Sequence, residues 1–475
     1  MSKKHSTLLL FSFFYIWVNA QQFTIKPGEV YDSIPVVGAG ESYSIFLPKG
    51  FKQQGKWPIL LVYNLQGKST DQLRKLTTLA DREGYMLAAS HQVSDSLSIT
   101  DNVLVTGRMI ESIKALFPIH LGRVYTYGRG INARFANLVP VLLKDVEGVI
   151  SDGAGLANQQ LISTKNPFHF VGIIKPTDFS YPLMTLDVER LNRLKFRNQL
   201  LLEEIVDSVN QEKEHEATLG RALRMLTLAS MRDQYTPRDT AYINQSFVEA
   251  NGQVQRLYAK GKVQRALQWM AAWKVSFTGL NKNQDWSEQE KEWKKSKLFR
   301  SQKREEQGAF FKEEILKEDY IYYLQEDMEV TNFNNLGWWN SQLADISENL
   351  KSSNVREQEM GHRLKSFVNA LLDDSLELLE AEKNAKEFDE TLYLWMLKTL
   401  TLPDSPKAYL KVASLSSYRE DYGTALFYLE ELLKTGYKDR ASLYQLEDTA
   451  LLRITPEFNA LIDRYFDKGS RYQPK

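Results

Sequence analysis

The sequence predicts an α/β domain built on a mainly parallel sheet, followed by an all-α region. Short apolar runs alternate with amphipathic stretches up to about residue 219, and helical periodicity with few strand-like alternations takes over after it. The length, 475 residues, exceeds what one compact core accommodates and leaves room for two domains. Hydrophobic residues at 43% and charged residues at 25% are the proportions of a soluble globular chain. Sixty basic residues balance sixty acidic ones, so no net field draws the protein to nucleic acid or to an anionic membrane surface. Cysteine is absent, which excludes disulfides, zinc thiolates and a lipidated cysteine.

Taken in chain order, residues 1–20 read as a secretory signal: Lys3 and Lys4, an apolar run over 8–18, and the small-residue end Val18-Asn19-Ala20 before Gln21. The apolar run is well short of the roughly 20 residues that span a bilayer. An exported protein, periplasmic or extracellular, starting at Gln21 and without an integral membrane span after cleavage is therefore expected. The α/β domain is assigned to 21–235. Its strands are expected at 41–47 (ESYSIFL, stopped by Pro48), 58–63 (PILLVY), 85–90, 124–127, 146–150 and 168–174, with helices at 70–83, 101–117, 133–144 and 219–231.

The helical domain is assigned to 236–475. Its stretch over 285–327 interleaves charges of both signs with Trp293, Phe299, Phe310, Phe311 and Ile315, the pattern of solvated helices with an apolar seam. Trp338 and Trp339 follow an Asn-rich turn and suit either packing between helices or a binding groove. Over 406–437, Tyr409, Val412, Ala413, Tyr422, Ala425 and Leu429 resemble one tetratricopeptide helix pair, in which the alanines let the helices approach. A lone pair cannot bury its faces, so this unit is expected to pack on the helices over 359–400.

The segment RVYTYGRGINARFA at 123–136 has the form strand, sharp turn, helix. It resembles the nucleophile elbow G-x-S-x-G of α/β-hydrolases, and in particular that of secreted esterases of the polyhydroxybutyrate-depolymerase and feruloyl-esterase type. Gly128 matches the first glycine, Gly130 stands where the serine belongs, and Asn132 replaces the last glycine. The run YSIFLP at 43–48 and the strand WPILLVY at 57–63 resemble the opening of these enzymes, and Asn64-Leu65-Gln66-Gly67 falls at their oxyanion loop. Downstream, Lys175 to Tyr181 resembles the turn carrying the acid, and Glu214-His215-Glu216 the turn carrying the histidine. The resemblance covers the first half of the chain. It implies Asp178 as acid and His215 as base, with Gly130 marking the lost nucleophile. Without alignment, Asp178 reads equally as a turn former and His215 as a surface histidine near a helix start.

Acyl transfer by this route needs a hydroxyl or thiol to attack, and glycine has neither. Ser90, Ser151 and Ser180 lie at strand ends but on no elbow, and read as turn or cap residues. No cofactor or metal is expected: none of the six histidines pairs at ligand spacing, and Gly128-Arg129-Gly130 lacks the third glycine of a dinucleotide loop. The resulting expectation is a noncatalytic α/β-hydrolase-like protein that binds a ligand or a protein. Two alternatives stay open: an active esterase using another nucleophile or a water activated by His215, and a helical-repeat scaffold. The resemblance implies a small ester-like or carbohydrate-linked ligand, with Gln66, Gly67 and Arg129 as candidate contacts; the aromatic pair Trp338 and Trp339 adds two more, and the helical domain is a candidate surface for a protein partner.

Overall fold

A computed structural model describes residues 26–280, 286–382 and 388–466; the expected signal over 1–20 lies outside the described residues. Eight strands form one sheet: β1 (Val30–Val36), β2 (Glu41–Phe46), β3 (Trp57–Tyr63), β4 (Met86–Ser90), β5 (Ile119–Arg129), β6 (Gly148–Asp152), β7 (His169–Ile174) and β8 (Asn198–Leu202). Their order is β1-β2-β4-β3-β5-β6-β7-β8. β1 and β2 run antiparallel to their neighbours and β3 to β8 are mutually parallel. Two strands escape the sequence pattern: β1 (VYDSIPV) is an edge strand whose polar residues and Pro35 break the alternation, and β8 (NQLLL) opens on the polar Asn198 and Gln199.

Crossover helices α1 (Ser69–Glu83), α2 (Ile99–Leu116), α3 (Ile131–Leu142) and α4 (Tyr181–Arg193) connect the strands, and α5 (Ser208–Arg232) follows β8. The strand period of two sends β3 side chains to both faces. Leu60 and Val62 meet α1 and α5, while Ile59, Leu61 and Tyr63 meet α2 and α3. Both faces are thus covered, as parallel strands require.

All further regular elements among the described residues are helical: α6 (Thr240–Ala259), α7 (Val263–Phe277), α8 (Ser287–Lys295), α9 (Lys297–Val330), α10 (Leu336–Leu350), α11 (Val355–Glu382), α12 (Phe388–Thr401), α13 (Pro406–Tyr418), α14 (Tyr422–Lys434) and the short α15 (Arg440–Gln445), α16 (Ala450–Arg453) and α17 (Pro456–Tyr465). The fold class is therefore the one the alternation predicts. The core does not break at residue 235, however. Trp269, Met270 and Trp273 of α7 share one apolar cluster with Leu201, Leu219 and Leu226, and the Trp269 indole donates to the Leu202 carbonyl oxygen. The helix pair expected over 406–437 is α13 and α14, with Ala413 and Ala425 fully buried between them, and α12 packs on α13.

A second junction between the two regions is polar. Arg363 of α11, 1% exposed, donates to Glu313 of α9 at 2.7 Å and to the Pro176 carbonyl at 2.7 Å. The Lys317 ammonium reaches the Phe179 carbonyl at 3.2 Å. Beside them the Tyr181 hydroxyl contacts Glu306 and Arg265, and Arg265 forks onto Glu359. The turn after β7 is thus gripped at two carbonyls by helices far along the chain.

Candidate functional site

Functional groups of parallel sheets gather at the carboxyl ends of the strands. Here β5 ends at Arg129 and the chain reverses through Gly130 into α3. Gly130 has φ 62° and ψ −130°, a backbone region that side chains resist and that accompanies strained functional turns. A Cβ built at Gly130 meets no atom within 4 Å, whereas one at Gly128 would stand 2.3 Å from the Asn132 carbonyl oxygen. Gly128 is compulsory for this turn. Gly130 is not required by crowding, since the space above it is open.

The neighbouring strand end supplies Gly153 (φ 84°), and a Cβ there would lie 3.8 Å from both Gly130 Cα and Asp178 Oδ2. Gly130 and Asp178 therefore face one another across Gly153. Asp178 caps its own turn by accepting the Ser180 backbone N–H at 2.9 Å. Burial raises its pKa against that hydrogen bond and the Lys175 and Lys317 charges.

His215 lies elsewhere than the histidine turn implies. Glu214, His215 and Glu216 do not precede the helix but sit within α5, and His215 is 6% exposed rather than on the surface. Its Nδ1 lies 2.6 Å from Glu203 Oε1 and its Nε2 3.4 Å from Asp152 Oδ2. Burial works against a charged imidazole here, but the Glu203 hydrogen bond and the Asp152 charge outweigh it and raise the pKa. Burial pushes the Asp152 carboxyl up to about 6, despite the opposing charges of His215 and Arg129. The Tyr127 hydroxyl donates to Asp152 at 3.1 Å, and Arg129 bridges Asp152 and Glu212, each at 3.5 Å. Among the described residues no hydrogen bond or ion pair joins Asp178 to His215.

The remaining candidates separate. Gln66 and Gly67 are exposed beyond β3. The Leu65 N–H, in the loop where an oxyanion donor is expected, is taken by Asn132 Oδ1 at 2.7 Å. Trp339 is 0% exposed and its indole donates to Asp327 at 2.9 Å, while Trp338 packs edge-on against it and at a tilt against Tyr323. Trp339 is thus a packing anchor, the first of the two uses the sequence allows for it, while Trp338 is half-buried beside it. Ser90 accepts two backbone N–H groups and Ser151 donates to the Ala154 carbonyl, as turn residues do.

Asp152 and Glu203 went unnoticed in the sequence. The signal for them was positional: Asp152, Asp178 and Glu203 are acids at or just beyond the ends of three adjacent strands. A separate open groove of about 700 Å³ lies in the helical region, lined by Phe333, Leu336, Leu392, Met396, Phe427 and Tyr428 among others.

No protein-family model and no curated protein matches the chain. Solved structures similar to its first part include an S-formylglutathione hydrolase from Staphylococcus aureus (11% identity, TM-score 0.34, 42% of this chain and 98% of that one). An esterase from Thermogutta terrifontis has 13% identity and a TM-score of 0.35, over 45% of this chain and 95% of that one. An esterase from Pyrobaculum calidifontis has 11% identity and a TM-score of 0.33, over 42% and 87%.

Proposed function

We propose that this is an exported, noncatalytic α/β-hydrolase-like protein that works by binding, with its helical groove, tetratricopeptide-like at α13 and α14, receiving a protein or small-molecule partner. The carrying observation is Gly130, which turns β5 into α3 with positive φ at the place where the resemblance expects a nucleophile, and brings no group to attack from it. Two further features support the reading. Both ring nitrogens of His215 face carboxylates, Nδ1 on Glu203 at 2.6 Å and Nε2 3.4 Å from Asp152, so neither faces a hydroxyl that it could deprotonate, and the Leu65 N–H is already hydrogen-bonded. The groove sets aromatic and aliphatic side chains beside the charged Asp389, Arg419 and Asp421, a mixed lining that a partner could meet.

The competing reading is a working hydrolase with another nucleophile. It is favoured by the Glu203–Nδ1 hydrogen bond, which orients the ring as a carboxylate orients a catalytic base. Exposure of the mature protein to a serine-directed fluorophosphonate and to short-chain aryl esters separates the two. The binding reading expects no labelled serine and no turnover above a His215→Ala control; a serine mapped by mass spectrometry would establish the hydrolase instead. Export is tested by intact mass, with a chain beginning at Gln21 expected outside the cytoplasm.

A further inference from the structure

The longest helix among the described residues, α9, presents an uncovered face whose charges are sorted along its length. At 3.6 residues per turn, positions 297, 300, 304, 311, 315, 318, 322, 326 and 329 fall within about 80° of arc. Phe311, Ile315 and Tyr322 on this arc are 67%, 45% and 55% exposed. Lys297, Arg300 and Arg304 stand at its N-terminal end, and Glu318, Glu326 and Glu329 toward its C-terminal end, all exposed. Among the described residues none of these six makes an intrachain ion pair, although α9 pairs Glu306 and Glu313 on its opposite, buried side. The sorting also opposes the helix dipole, which favours acids at the N-terminus and bases at the C-terminus. An isolated helix gains nothing from this arrangement.

We infer that this face is an antiparallel interface with a second copy of the chain. A two-fold axis at the level of Glu313 sets each residue against the one equally far on the other side. Phe311 of each copy then meets Ile315 of the other, forming the apolar centre. Arg304 lies over the Tyr322 ring, Arg300 faces Glu326, and Lys297 faces Glu329. Gly308 falls opposite Glu318, leaving room for the longer side chain. Lys297 and Arg300 of each copy thus meet Glu329 and Glu326 of the other, whereas parallel pairing would set like against like along the whole seam. The interface is isologous and closes on itself, so it ends at the dimer.

The absence of native cysteine makes the register directly measurable. Full-length mature protein is expected to sediment as a dimer whose dissociation rises with ionic strength, because the flanking pairs are exposed to screening. Under mild oxidation Arg300→Cys protein mixed with Glu326→Cys protein should give a disulfide-linked pair, while neither variant alone should. Phe311→Asp should sediment as a monomer with unchanged far-ultraviolet circular dichroism. Lys297→Glu combined with Arg300→Glu should also abolish the dimer, and adding Glu326→Lys and Glu329→Lys should restore it. A wild-type monomer at every concentration, cross-linking of either single variant alone, or a dimer indifferent to Phe311→Asp and to the charge reversals would each overturn the assignment.

Discussion

At the scale of single residues, Gly130 is relaxed where a side chain would be strained. Its φ of 62° is open to glycine, while a side chain held in such a region costs of order 1–3 kcal/mol. Gly130→Ser and Gly130→Ala should therefore lower stability alike, by about 1–3 kcal/mol in chemical denaturation, since the space above admits either side chain. A serine costing clearly less than an alanine would indicate that its hydroxyl finds a partner. Asp152 supplies a second test. Its carboxyl titrates near 6 in the folded protein and near 4 when unfolded, so between these values the folded state holds the extra proton. Stability should fall as pH rises through that window, by on the order of 2–3 kcal/mol for a shift of about two units. His215, its pKa raised, adds stability at low pH that is lost as pH rises through its folded value. Thermal melts of Asp152→Asn across pH 4 to 7, a range set by these reference values, should lose the lower part of the decline. A profile parallel to the wild type would refute the assignment of that step to Asp152.

At the scale of elements, the turn after β7 depends on partners outside the sheet. Arg363 is fully buried against Glu313 and the Pro176 carbonyl, and breaking a buried pair by removing one member typically costs 3–5 kcal/mol. Arg363→Met should destabilise by about that much. Adding Glu313→Leu should recover only part of it, because Lys317 also pairs with Glu313 and loses that partner. Strict additivity of the two changes in denaturant unfolding would argue against their coupling. Such dependencies explain what the sequence disclosed. The central strands and helices were legible because runs such as PILLVY and the spacing in α1 to α3 state their burial locally. β1 was hidden by Asp32, Ser33 and Pro35, and β8 by the polar Asn198 and Gln199 that open it. At the site, the Gly128-Arg129-Gly130 turn was legible because its geometry is local. The partners of His215 were not, because Glu203 and Asp152 are 12 and 63 positions away and only the sheet register makes them neighbours.

At the scale of the whole molecule, the apolar cluster under α5 is completed by α7, so the first 235 residues do not enclose their own core. A fragment ending at residue 235 should bind a hydrophobic dye and lose its sharp thermal transition, because the surface that Trp269, Met270 and Trp273 cover becomes exposed. The full chain should unfold with the sheet and α6 to α8 in one step. A fragment that melts cooperatively at the temperature of the full chain would show that the two regions are energetically separate.

The grip of Arg363 on Pro176 also sets an order in time. The two residues are 187 positions apart, and at roughly 5–20 residues per second a ribosome delivers the second about 10–40 s after the first. During that interval the strands can pair, yet the turn bearing Asp178 waits without its clamp. The last piece of the sheet domain to settle is thus governed by a late arrival from far along the chain. A chain cut short before α11 would leave the ribosome with its strands ordered and that one turn unfinished.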